Sequence, residues 1–475
     1  FLLLIDLMSS DKQKKFVEQI AIAGQAIILM IFCLTASFID VKVTTDLFGG
    51  LIQQSQFSHF GRLFFMVSSI LVCFLGSIFF RVNKLPRTEF YHLVIVSTVA
   101  FMLLIQSNHF VMLFMALETV SIIFYILVSY RKSSSASLEA GLKSLIMGAF
   151  SSTILLFGMA IVYGVAGNPD LIATAKDAMN FQDLSVFVQA NTENKLLQVG
   201  VLFIVSGLLF KVGAVPFQMW VSDVYQGAPT PVTAYLAVAS KAAGFLLLIL
   251  LVEGPFNSMD GLLVPILSVV AGISILWGNI GALTQPNVKK IMGFSGIANT
   301  GYILVGVVAL FSIENAAYVI MFYLCTYLLA SFAVFGVMSA VATKEDEIQE
   351  IYDYEGLLKN EPLLAFILTA GLGSLAGVPP LVGFIGKTLL FILAFKAGLY
   401  GLLAVSVVGA VVSVYYYFGW LRYANFKVFK FSDETEKTFS INASALQKIS
   451  LCGLAVLTII FGLYQGVFSV FLQGL

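Results

Sequence analysis

The stretch VGVLFIVSGLLFKVGAVPFQMW, residues 199–220, runs through VSDVYQGAPTPV into TAYLAVASKAAGFLLLILL at 233–251, and places two lysines inside apolar sequence on either side of a proline break. Lys211 follows about a dozen apolar or small residues and precedes more, so a continuous helix cannot bring its ammonium to bulk water by snorkelling. A lysine at bilayer depth costs roughly 2.5–3.5 kcal/mol on insertion scales. Lys241 repeats the problem in the next segment. Pro216 cannot donate to the carbonyl of Val212 and crowds it, so a polar carbonyl is freed within about one turn of the Lys211 ammonium. Two buried charges and a broken helix point to an ion path.

The whole composition agrees. With 475 residues, 59% hydrophobic and 11% charged, the chain lies far from a soluble domain, in which about a quarter of residues are charged. It reads as an all-α polytopic membrane protein, and nucleic-acid binding is not indicated. Cys33, Cys73, Cys325 and Cys452 each sit in an apolar run without paired spacing, and His59, His92 and His109 fall near segment ends without forming a ligand cluster. The chain is therefore expected to bind no cofactor and no metal. It opens at Phe1, and FLLLIDLM resembles the tail of a helix whose beginning is absent.

Runs of roughly 20 apolar residues, the length a bilayer requires, give the stub at 1–8 and segments near 18–39, 61–80, 90–107, 109–130, 141–166, 196–220, 229–251, 261–284, 287–311, 315–341, 361–396, 398–423 and 446–471. The expectation is fourteen transmembrane helices with the first one truncated. If the loop SSDKQKK faces the cytoplasm, the loops on that side hold 17 of the 26 lysines and arginines. Those on the other side hold 5: Lys42, Arg62, Lys176, Lys195 and Lys396. Both termini then face away from the cytoplasm.

The segment 361–396 is too long for one plain helix and contains GSLAGVPPLVGFIGK, in which Pro379 and Pro380 form a second break followed by Lys387. Setting VPF at 215–217 over VPP at 378–380 aligns two broken segments, each the fourth in a set of five. An odd number of helices per unit forces the second unit to enter from the opposite face, which predicts two inverted five-helix repeats. The expected divisions are 1–89 for helices 1–3, 90–253 for the first repeat, 260–424 for the second, and 425–475 for a loop and the fourteenth helix. Helices 7 and 12 are the broken ones.

Glu118 lies near the middle of FVMLFMALETVSIIFYILVSY, where a lone carboxylate must be protonated or paired. Lys211 is its first candidate partner. A glutamate and a lysine that share a low-dielectric site couple their titrations, so moving one proton alters the other group's hold on its own. Lys143 stands four residues after Glu139 and reads either as an interfacial pair or as a path residue. For Lys211, Lys241 and Lys387 the plain alternative is a structural salt bridge. Asp223 reads as a cap or turn residue, Tyr415, Tyr416 and Tyr417 as interfacial aromatics, and KEDEIQEIYDYEGLLKNEP as a solvated loop or a contact with another subunit.

FKVGAVPFQMWVSDVYQGAPTPVTAYLAVASK, residues 210–241, resembles the antiporter-like membrane-arm subunits of respiratory complex I, and the resemblance extends from about Thr88 to Gly474. It implies a proton-translocating subunit of an NADH:quinone oxidoreductase in a bacterial inner (plasma) membrane. Such a subunit has no redox centre of its own, and neighbouring membrane-arm subunits are its partners. The family carries a glutamate in the fifth helix and lysines in the broken seventh, the eighth and the broken twelfth, where this chain has Glu118, Lys211, Lys241 and Lys387. Lys143 matches a lysine the family often carries in the sixth. A stand-alone cation/proton antiporter of the same fold is the alternative, and it would act without partners.

Overall fold

The computed structural model describes residues 15–36, 44–83, 85–169, 171, 175–343, 345–426, 443–464 and 466; the stub at 1–8 and the loop residues 427–442 lie outside them. The helices in chain order are α1 (Lys15–Ala36), α2 (Gln56–Phe79), α3 (Arg87–Ile105), α4 (Phe110–Val128), α5 (Ser135–Ala166), α6 (Phe181–Ala190), α7 (Lys195–Val212) and α8 (Met219–Gly227). They continue as α9 (Thr230–Glu253), α10 (Asp260–Ala282), α11 (Val288–Ala309), α12 (Ala316–Val341), α13 (Pro362–Ala376), α14 (Val382–Lys396), α15 (Tyr400–Asn425) and α16 (Ala445–Leu463). Among the described residues, 12 helices are long and apolar enough to cross a membrane. A small hairpin, β1 (Thr45–Leu47) with β2 (Ile52–Gln54), leads into α2.

Hydropathy here has two destinations. α9, α11 and α12 are buried along nearly their whole length. α1, α5, α10 and α15 leave large apolar side chains such as Ile31, Phe150, Trp277 and Val411 exposed. A helix that is apolar on its packed side and apolar again on its open side belongs in lipid.

α7 stops at Val212 because Gly213 turns left-handed (φ 72°), and α13 stops at Ala376 because Gly377 does the same (φ 84°). A side chain at either position would cost roughly 1–2 kcal/mol. The matching geometry is Gly213 to Pro216 against Gly377 to Pro380, with cis peptide bonds at Val215–Pro216 and Pro379–Pro380. Pro216 therefore corresponds to Pro380, one residue from the alignment of VPF on VPP, because the left-handed glycine rather than the first proline sets the register.

The backbone groups freed at the first break are covered by other helices. Thr300 Oγ1 on α11 donates to the Val212 carbonyl at 2.9 Å, and Ser274 Oγ on α10 accepts from the Val215 N–H at 2.9 Å. The carbonyl expected to stand free beside Lys211 is thus occupied. Thr300→Val keeps the shape and removes the donor. It should destabilise the folded protein by about 1–3 kcal/mol, the penalty for a buried group without a partner, read as a lowered Tm in detergent.

The acidic stretch after α12 is built into the body. Asp346 is buried, accepting from Lys289 Nζ, from the Thr230 N–H at 3.0 Å and from Thr230 Oγ1 at 2.7 Å. Lys289 also donates to the Ala228 carbonyl at 2.9 Å. Glu347 accepts from Arg131 and, at 2.9 Å, from Ser134 Oγ. Burial works against the charge of Glu347, but a backbone hydrogen bond, Ser134 and the Arg131 guanidinium outweigh it and hold its carboxyl below the ordinary range. Neither a solvated loop nor a surface reserved for another subunit describes these two residues. They staple the start of α11 and the 131–134 loop to the turn that opens α9.

Candidate functional site

Glu118 is half-buried on α4 and accepts from Ser152 Oγ on α5. Lys211, in the last turn of α7, donates to Ser121 Oγ at 2.8 Å and reaches Ser152 Oγ at 3.5 Å. Lys211 and Glu118 are therefore joined by one serine hydroxyl, which can receive from the ammonium and donate to the carboxylate. Among the described residues the two form no direct ion pair. Ser121 lies three residues after Glu118, on the same face of the helix. A cavity of about 60 Å³ adjoins Lys211, lined among others by Ser121, Tyr125, Ser144, Trp220 and Ser240. That is room for several waters at ~10–15 Å³ of occupied volume each. Ser240, which precedes Lys241, is among the lining residues, whereas Lys241 itself is not, and most of the lining is apolar.

Lys241 is buried directly after a five-residue π turn, Leu236–Ser240, within α9. Its ammonium lies 5.9 Å from the centre of the Tyr225 ring and has no hydrogen-bond partner among the described residues. π turns interrupt helices where a side chain must be re-aimed, often at functional positions. Lys387, on α14, is also buried, but is satisfied differently. It donates to the carbonyls of Leu375 and Ala376 at 2.8 and 3.1 Å and sits 5.2 Å from the Tyr302 ring centre. These are the last carbonyls of α13, so the ammonium caps the negative end of a helix. The idea of a lysine resting on carbonyls freed at a break describes Lys387 rather than Lys211.

Polar side chains from α10, α11, α12 and α15 form a buried hydrogen-bonded network that reaches Tyr302, the ring beside Lys387. Ser295 is hydrogen-bonded to the Tyr417 hydroxyl, Asn299 donates to the Ser295 carbonyl at 2.9 Å, and Tyr323 donates to Asn299 Oδ1 at 2.7 Å. Tyr416 donates to Asn279 Oδ1 at 3.3 Å, and Asn279 reaches the Tyr302 hydroxyl at 3.4 Å. Tyr415 is exposed as an interfacial aromatic would be, whereas Tyr416 and Tyr417 are buried with their hydroxyls engaged. The available signal was Asn279, Ser295 and Asn299, amides and a hydroxyl inside apolar segments that need partners at depth.

Lys143 makes contacts of a different kind. It pairs with Glu139 at 2.7 Å and with Asp223 at 2.8 Å, all three side chains being substantially exposed. Asp223 lies inside α8, not at a cap or turn. The histidines remain separate from one another: His59 stacks on Phe32 beside Arg62, His92 contacts the Thr88 carbonyl, and His109 caps α4.

The transmembrane family described as NADH:quinone oxidoreductase/Mrp antiporter matches residues 107–413. The NADH-quinone oxidoreductase subunit N 1 of Opitutus terrae is 48% identical over 474 residues, covering 98% of this chain and 92% of that relative. A chain in the structure of respiratory complex I from Thermus thermophilus with bound aureothin is 27% identical with a TM-score of 0.78, over 98% of this chain and 96% of that one. A chain of the Mrp complex from a Dietzia species reaches a TM-score of 0.82 at 20% identity, over 98% and 93%, which is a likeness of fold. By sequence and by fold, the chain belongs to the NADH:quinone oxidoreductase/Mrp antiporter transmembrane family, among the subunits N of NADH-quinone oxidoreductases.

Proposed function

We propose that this chain is a proton-translocating membrane-arm subunit of respiratory complex I, driven by NADH:quinone electron transfer in partner subunits. The observation that supports this reading is the contact chain Glu118, Ser152, Lys211 beside a cavity, together with two further lysines, Lys241 and Lys387, buried in the same body with hydroxyl and amide groups around them. Lysines buried at depth are expensive, and several along one line serve a path better than a single structural pair would. Glu118 and Lys211 form the first coupled pair, Lys241 the relay and Lys387 the far station. Lys143, exposed and paired with Glu139 and Asp223, is the remaining member of the proposed path.

In this reading the fold has fourteen transmembrane helices, with inverted repeats at 90–253 and 260–424, each broken in its fourth helix. The equivalent turns at Gly213–Pro216 and Gly377–Pro380 support it. The excess of lysine and arginine in alternate loops supports termini on the non-cytoplasmic side of a bacterial inner membrane. The chain carries no cofactor of its own, and its partners are neighbouring membrane-arm subunits, the lipid bilayer and protons.

The test is reconstitution in vesicles. The complete complex should acidify or alkalise the lumen when NADH and quinone are supplied, and the chain expressed alone should leave an imposed proton or sodium gradient unchanged. Cation/proton exchange by the isolated chain would instead make it a free-standing antiporter.

A further inference from the structure

Around Lys241 four buried polar groups meet without direct partners. Among the described residues, Lys241 Nζ and the hydroxyls of Tyr225, Tyr327 and Ser331 make no hydrogen bond, although all four residues are buried. They come from three helices, α9, α8 and α12. Gly296 on α11 marks where two of them meet: a Cβ there would stand 2.5 Å from Lys241 Nζ and 3.7 Å from the Tyr327 hydroxyl. The Tyr225 and Tyr327 hydroxyls lie within electrostatic reach of each other, and Tyr327 is within reach of Ser331 and of Tyr417, the hydroxyl bonded to Ser295. A hydroxyl or ammonium buried without a partner is costly, and several of them in one neighbourhood are how a protein holds internal water, which makes about three hydrogen bonds.

We propose that Lys241, Tyr225, Tyr327 and Ser331 enclose a water-binding site beside Gly296, and that the Tyr327 hydroxyl relays protons between Lys241 and the Ser295–Tyr417 pair. The proposal rests on Lys241 being a proton carrier. The Lys241 ammonium gives one proton to the water, the water gives one of its own to the Tyr327 oxygen, and Tyr327 releases its hydroxyl proton onward. Water and tyrosine end as they began, Lys241 ends neutral, and the charge arrives on the onward acceptor, a neutral Lys387. The alternative for Tyr327, a packing role, requires its ring and not its hydroxyl.

Tyr327→Phe in the assembled complex separates the two. NADH-driven proton translocation should fall several-fold, and its solvent deuterium isotope effect should change, which a loss of packing alone would not produce. A high-resolution electron microscopy map of the unmodified complex should show ordered density within hydrogen-bond distance of both Lys241 Nζ and the Tyr327 hydroxyl, displaced in Gly296→Ala. If Tyr327→Phe fails to assemble, Tyr225→Phe and Ser331→Ala probe the same water with smaller changes, and the map stands independently. Wild-type translocation with an unchanged isotope effect in Tyr327→Phe, or a map without that density, overturns the relay. If Lys211→Arg is inactive in the same assay, only the relay falls; if both variants pump at the wild-type rate, the assignment of the lysine row falls with it.

Discussion

Lys211→Ala, in a complex assembled with its partner subunits, is expected to abolish the proton translocation carried by this chain while leaving the subunit in place. The side chain sits at the end of α7 with its ammonium on Ser121 and Ser152, and Ser152 in turn donates to Glu118. In a low-dielectric site an ammonium keeps its proton while a carboxylate is close and releases it when the carboxylate is moved away. Movement of Glu118 away from Ser152 would break that link, and a cavity adjoins the ammonium on the α3 and α4 side. A positioned proton-transfer group contributes about 10²- to 10⁴-fold to its step, so the loss should be of that order. Quinone reduction should fall with it where the two are tightly coupled. Lys211→Arg is the sharper variant, since arginine preserves the charge but stays protonated throughout the working range. Its expected result is also loss of translocation. Pumping at the wild-type rate by the arginine variant would make Lys211 a structural charge.

The parts of the molecule legible in the sequence are those settled by local chemistry. Apolar runs of spanning length, proline breaks at Pro216 and at Pro379 and Pro380, and lysines far from any segment end all act through immediate neighbours. Burial of Lys241 and Lys387 follows directly from their position in the chain. The features that stayed hidden depend on which way a side chain faces or on a partner far away in sequence. Tyr415, Tyr416 and Tyr417 are consecutive and chemically identical, yet a rotation of about 100° per residue sends one to the exterior and two into the polar network. Asp223 has the composition of a turn residue, and only the approach of α5 turns it into a partner for Lys143. Serine at 121 and 152 looks like ordinary helix packing until α4, α5 and α7 are brought together around Lys211.

The acidic stretch after α12 is the largest departure, and it carries the second large effect. Its many charges read as solvated, but Asp346 and Lys289 have side chains only 1% exposed and face each other. Asp346→Ala would leave the Lys289 ammonium buried with the Ala228 carbonyl as its remaining hydrogen-bond partner among the described residues, and would orphan the Thr230 N–H and hydroxyl. Breaking a buried pair from one side costs about 3–5 kcal/mol, because the surviving charge has neither water nor a counter-ion. The expected outcome is a sharply lowered Tm or failure to recover the assembled complex. Removing both charges should be milder. Lys289→Met with Asp346→Asn eliminates the stranded ammonium and keeps a side-chain carbonyl to accept from Thr230, so at least half of the lost stability should return. Thr230 begins the helix that carries Lys241, so the single variant should also disturb the lysine row before it unfolds the protein, and the double variant should restore translocation along with stability. An Asp346→Ala protein with unchanged Tm would show that the pair does not hold this end of the molecule together.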